Sequence, residues 1–266
     1  MNKQKIIIWT LLSATIFTVS SSFAAGLTNN LCGFYLGIEG GAAKTLTTNV
    51  EPDWSVSTVH TWYAVNGSYD TDFGTAPSFG AKLGYAINKN IAFDLAYNRR
   101  GNFNFENGFT APPGTIATAP LGEIYKYNDI NSNAFTFNAT LFPSISSEKF
   151  KPFVSAGIGV SINKLGSLNN FNIIDANPAQ PVPLNYNVQL DGANKTSFTW
   201  QIGAGLDYSI IEHLDFGLGY RFVDLGKFTT GTHFTESVAG TDSTVKPYII
   251  NHLNVNEFYA RLNYYF

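Results

Sequence analysis

Eight segments of this chain alternate apolar and non-apolar residues with period two. That pattern leaves few folds open. The apolar sets are Phe34, Leu36, Ile38, Gly40 and Ala42; Phe79, Ala81, Leu83, Tyr85 and Ile87; Ile91, Phe93, Leu95 and Tyr97; and Phe135, Phe137, Ala139 and Leu141. They continue with Val154, Ala156, Ile158, Val160 and Ile162; Phe198, Trp200, Ile202, Ala204, Leu206 and Tyr208; Leu214, Phe216, Leu218, Tyr220 and Phe222; and Phe258, Ala260, Leu262, Tyr264 and Phe266. Successive side chains of a strand point to opposite faces, so each segment has one wholly apolar face. None of these positions is charged. Charged residues make up only 13% of the 266 residues, against roughly 25% in an ordinary soluble domain. After residue 25 no stretch reaches the roughly 18 apolar residues of a spanning helix. Strands of about ten residues with one lipid-facing side cross a bilayer only as a closed sheet, because every backbone polar group must be paired there.

The opposite faces carry the charges: Glu39, Lys82, Asp94, Asp207, Asp215, Arg221, Glu257 and Arg261. They also carry many glycines, which suit close approach in a narrow barrel. Compared at similar heights, strands eight, one, two and three present Arg261, Glu39, Lys82 and Asp94, with alternating sign. The expectation is a mid-barrel network Arg261–Glu39–Lys82–Asp94, with Arg221–Glu257 as a second pair nearer the outside. Charges in a lumen lose water and need partners. An eight-stranded interior is just wide enough for side chains to fill, so a polar plug is favoured over a selectivity element.

Connections alternate in length. Residues 88–90, 143–150 and 209–213 are short; 44–78, 102–132, 163–196 and about 226–254 are long. The fold expected is all-β: a transmembrane up-and-down antiparallel barrel of eight strands, with short periplasmic turns and four long extracellular loops. Alternation within Trp54–Val65 and Leu184–Leu190 reads as strand extending above the membrane; ten or twelve strands are the competing reading. Residues 1–24 read as a signal peptide, with Lys3 and Lys5, an apolar run from Ile6 to Val19 and Ser22-Phe23-Ala24 at the cleavage site. Residues 25–266 are then the barrel domain. Cys32, the single cysteine, reads as a half-buried thiol.

The formal charge of the full chain is −3, and losing Lys3 and Lys5 makes the mature chain more acidic. No nucleic-acid partner is expected. His60, His213, His233 and His252 lack metal-ligand spacing, so no metal or cofactor is expected. No catalytic residue is expected either, although a loop His beside an Asp at the outer rim would serve a lipid or peptide hydrolase. Trp54, Trp62, Tyr63 and Tyr69 are candidate loop residues for contact with host or environmental surface ligands, since aromatics anchor interfaces.

The final residues, EFYARLNYYF at 257–266, resemble the terminal strand read by the barrel assembly machinery, with Phe266, Tyr264 and Leu262 at alternate positions. LDFGLGYRFVDLGKF at 214–228 resembles the penultimate strand of opacity-type barrels. The chain thus resembles the small outer-membrane β-barrels of Gram-negative bacteria, the opacity-protein and outer-membrane-protein-A-like group. The resemblance implies an outer-membrane location, contact with membrane lipid and with the assembly machinery, and a surface antigen, adhesin or porin-like role. The alternative is a small diffusion pore or hydrophobic-ligand conduit. No peptidoglycan-binding domain follows the barrel, so cell-wall tethering is not expected.

Overall fold

The computed structural model describes residues 32–46, 73–110, 121–143, 149–175, 188–236, 242–244, 247 and 249–266. Along the chain the strands are β1 (Gly33–Thr45), β2 (Thr75–Asn88), β3 (Ile91–Thr110), β4 (Leu121–Leu141), β5 (Phe150–Leu165), β6 (Leu168–Asp175), β7 (Val188–Leu190), β8 (Ala193–Ile211), β9 (Leu214–Asp224), β10 (Phe228–Thr229), β11 (His233–Glu236), β12 (Asp242–Thr244), β13 (Ile249–Ile250) and β14 (Asn254–Tyr265). Eight of them form the barrel wall in the order β4-β3-β2-β1-β14-β9-β8-β5, and β4–β5 pairing closes it. Closure leaves no unpaired edge at membrane depth.

Sequence parity and burial agree along all eight wall strands. None of the apolar positions named above is buried. Phe34, Ile38, Phe79, Leu95, Phe198 and Phe258 are each at least 60% exposed, which for a barrel is the lipid face. Aromatic pairs mark both interfaces. Phe34 with Tyr85 and Phe150 with Tyr208 stand near the turns; Tyr97 with Phe135 and Tyr220 with Phe258 stand near the opposite end, at centroid separations of 5.0–5.1 Å.

The strands outrun the sequence reading. β3 extends to Thr110 and β4 starts at Leu121, so the 102–132 connection is largely hairpin. Alternation fades above the membrane because water bathes both faces, which removes the signal but not the ladder. At the transition Asn102 and Asp129 adopt left-handed φ of 69° and 60°, and the β3–β4 register shifts between Gly101 and Phe103 and between Phe103 and Phe105. Asn and Asp tolerate this region better than other non-glycine residues. Here β4 changes partner, from β5 (ending at Asn131↔Lys164) to β6 (starting at Tyr127↔Leu168). β6, β7, β11 and β12 extend this sheet outside the barrel. They give the 163–196 and 226–254 connections structure of their own without adding to the eight wall strands. Within Leu184–Leu190, β7 accounts for Val188–Leu190; Trp54–Val65 lies outside the described residues.

Candidate functional site: the filled lumen

Three layers fill the barrel interior. Nearest the turns, Tyr35, Ala86, Ala92 and Tyr265 form an apolar floor, with Phe142 packed against it. Lys151 pairs with Asp215 at 3.0 Å at this end, and the Ser209 hydroxyl donates to the same carboxylate at 2.7 Å.

The middle layer holds the charges. Glu257 is fully buried and takes two guanidinium groups at once. Arg100 approaches to 2.6 Å through Nη2 and donates from Nε at 2.8 Å; Arg221 donates from Nη2 at 2.7 Å and from Nε at 3.0 Å. The other Nη of Arg221 reaches Glu39 at 2.6 Å. Arg261 makes a bidentate contact with Asp207, at 2.8 Å from Nε and 2.6 Å from Nη2, a geometry that matches two parallel N–H groups to two oxygens. Asp94 accepts from the Tyr35 hydroxyl at 2.9 Å and from the Asn138 amide at 2.6 Å, and Gln201 donates to Asn138 at 2.7 Å. Glu39, Asp94, Asp207 and Glu257 equal Lys82, Arg100, Arg221 and Arg261 in number, and the three arginines pair with Glu39, Asp207 and Glu257. A charge-balanced set is what a desolvated interior requires.

The expected chain Arg261–Glu39–Lys82–Asp94 is therefore corrected. Glu39 and Arg261 are opposite one another in the β1–β14 register, yet Arg261 turns away to β8 and Glu39 reaches β9. Side-chain length and glycine placement decide this. Gly217 on β9 faces Arg261 on one side and Asp207 on the other. A Cβ there would overlap the Asp207 carboxylate and come within 2.9 Å of Arg261 Cγ. With no side chain in between, arginine spans two strands. The Arg261 guanidinium also lies 3.6 Å over the Phe153 ring, and Arg221 lies 4.5 Å over Tyr259. Lys82 makes no ion pair with Glu39 or Asp94 within 4 Å among the described residues; its ammonium stands 5.9 Å over the Tyr35 ring. Arg221 and Glu257 do stand together, as their parity on adjacent strands implies. Arg100 was missed. It continues the inward parity of Asp94 and Asn98, so extending the third segment past Tyr97 would have found it.

The outer layer is apolar. Ala43, Phe73, Phe103, Ile130, Leu165, Leu190, Val223 and Val255 from the wall and its extensions enclose Leu225, Phe228, Ile250 and Leu253 from the β9–β14 connection. Those four are at most 2% exposed, and β10 pairs with β13 to form the folded-in piece. Wall side chains hold its backbone. Ser161 donates to Leu225 O at 2.7 Å, and Asn163 donates to Leu225 O at 2.6 Å and to Lys227 O at 3.0 Å. Asp224 accepts from the Gly226 N–H at 2.7 Å and from Trp200 Nε1 at 3.2 Å, while His252 Nδ1 stands 2.9 Å from its Oδ2. A His–Asp pair thus exists at the outer rim, but its carboxylate is engaged in fixing the loop.

Leu262 and Tyr264 sit on the lipid face of β14, and Phe266 just past its end is exposed with the same parity, the Tyr264 and Phe266 rings 5.3 Å apart. Cys32 is a free, half-buried cysteine. Trp54, Trp62, Tyr63 and Tyr69, like the leader at 1–24, lie outside the described residues.

Comparison with known families settles the class. The outer membrane protein beta-barrel domain family matches residues 10–266, nearly the whole chain. The chain belongs to this family. As a member it is a bacterial outer-membrane barrel. Solved barrels are similar at low identity. Neisserial surface protein A is 14% identical over 90% of this chain and 100% of its own, with a TM-score of 0.45. OprG of Pseudomonas aeruginosa is 13% identical over 88% and 97%, with a TM-score of 0.47. Ail, the attachment invasion locus protein of Yersinia pestis, is 11% identical over 88% and 99%, with a TM-score of 0.35. No curated protein matches the sequence.

Proposed function

We propose that this chain is a non-enzymatic surface barrel with a sealed lumen, and that it acts through its external face in contact or adhesion. The observation that carries this reading is the filled interior: a neutral ion network beneath an apolar plug. Each layer alone disfavours an aqueous path, the first by occupying the lumen and the second by excluding water. A diffusion pore or hydrophobic-ligand conduit would need both layers to move. The His252–Asp224 pair offers little support for a hydrolase, since Asp224 already fixes Gly226 and Trp200. In this reading residues 1–24 direct secretion and are removed, and the Leu262/Tyr264/Phe266 face presents the terminal strand to the assembly machinery. The long β1–β2 connection, with Trp54, Trp62, Tyr63 and Tyr69, supplies contact residues.

Cells displaying the barrel test the idea. Adhesion to host-type cells and to matrix-coated surfaces is compared with that of a variant whose β1–β2 connection is shortened. Lost adhesion with intact surface display fits the proposal. Undiminished adhesion from the shortened variant overturns it.

A further inference from the structure

The point where β4 exchanges β5 for β6 leaves a recess of about 400 Å³ on the outer part of the wall, lined by Asp129, Lys164, Ser167, Gly192 and Asn194 among others. It owes its shape to the left-handed turn at Asp129 and to the two links, β5–β6 and β7–β8, that meet there. Lys164 and Asp129 form an ion pair across it, with side chains 44% and 55% exposed. The Lys164 hydrogen bond is the main reason the Asp129 carboxyl is held below the usual carboxylate range, and Arg99 on β3 adds to it. Arg99 is itself exposed and shares the outward parity of Leu95 and Tyr97. Lys164 in the recess and Arg99 on the adjoining outward face of β3 are thus two cations near one carboxylate, Asp129.

The wall below the recess has a fixed vertical order. Lys164 continues the outward face of Ile158, Val160 and Ile162, which are 42–59% exposed. On the neighbouring strands the Tyr97–Phe135 ring pair, 5.0 Å apart, marks the outer interface. An apolar wall, an aromatic boundary and then the two cations at the recess form the negative of an amphiphile with acyl chains below and an anionic head above. From this arrangement we infer that the recess seats the phosphate of an outer-leaflet glycolipid, whose acyl chains lie against β4, β5 and β8. Lys164 exchanges Asp129 for the phosphate, Arg99 supplies the second charge, and Asp129 is the internal competitor. The inference is independent of whether the lumen conducts.

The opposite signs expected for the two halves of the ion pair make the test decisive. The purified barrel in detergent micelles is titrated with bisphosphorylated lipid A, with the same glycolipid lacking its phosphates, and with inorganic phosphate. Native mass spectrometry reads occupancy, and heat-modifiable electrophoretic mobility verifies folding of each variant. Phosphorylated lipid is expected to bind in preference to the other two probes. Lys164→Gln should weaken it about tenfold, the loss of one charge-assisted contact, and Arg99→Gln should weaken it by less. Asp129→Asn should tighten it several-fold, because the competing carboxylate is gone. Equal binding of the phosphate-free glycolipid overturns the inference, as does inorganic phosphate binding as well as the lipid. So does an equal loss in Lys164→Gln and Asp129→Asn, which would mark the ion pair as structural only.

Discussion

Glu257 is the residue on which the interior depends most, so Glu257→Gln is the sharpest perturbation. The substitution keeps the volume and one acceptor but removes the charge. Four contacts of 2.6–3.0 Å to two arginines change at once. Arg221 retains Glu39 at 2.6 Å. Arg100 is fully buried and loses its only ion pair among the described residues. Breaking one partner of a buried pair costs about 3–5 kcal/mol, and the surviving acceptor places the loss near the lower end, about 3 kcal/mol. Urea unfolding of the refolded barrel in lipid vesicles, followed by tryptophan fluorescence, should show the midpoint falling with an unchanged slope. Adding Arg100→Gln removes the stranded charge, so the double variant should be more stable than the sum of the single losses predicts, by at least 1 kcal/mol. A loss below about 1 kcal/mol in Glu257→Gln, or strict additivity in the pair, would refute the reasoning.

Other expectations follow from the same packing. Gly217→Ala should destabilise by about 1–3 kcal/mol, because its methyl displaces the Asp207–Arg261 pair. Gly40→Ala should be near neutral, since its nearest neighbour is Phe79 at 3.8 Å on the lipid face; refolding yield in vesicles separates the two. A double-mutant cycle should couple Arg261 with Asp207 by at least 1 kcal/mol and find Arg261 and Glu39 nearly additive. Phe228→Ala empties part of the mouth and should cost about 3–5 kcal/mol. It should leave the barrel non-conducting in a bilayer, because the ion layer beneath remains.

The sequence made the wall legible because lipid on one side and a packed lumen on the other impose a strict two-residue period. Every inward charge named from that period lies inside. Which charges meet was not legible. Period two fixes the face of Arg261 but not its reach across Gly217 to Asp207 two strands away, which depends on the absence of one side chain on the strand between. Arg100 lay just past the point where apolar alternation weakened. The plug was hidden for a different reason. Leu225, Phe228, Ile250 and Leu253 belong to a connection of otherwise polar character, and their burial depends on hydrogen bonds from Ser161 and Asn163 that carry no periodic mark. Above the membrane the strands persist without alternation, so the β4 partner exchange at Asp129 leaves only an Asn-Asp-Ile-Asn string to read.

Single-channel recording of refolded residues 25–266 in a planar bilayer tests the central claim most directly. Folded protein, verified by heat-modifiable mobility, should give no stable conductance steps. Steady, salt-dependent steps from that same folded protein would contradict the sealed lumen.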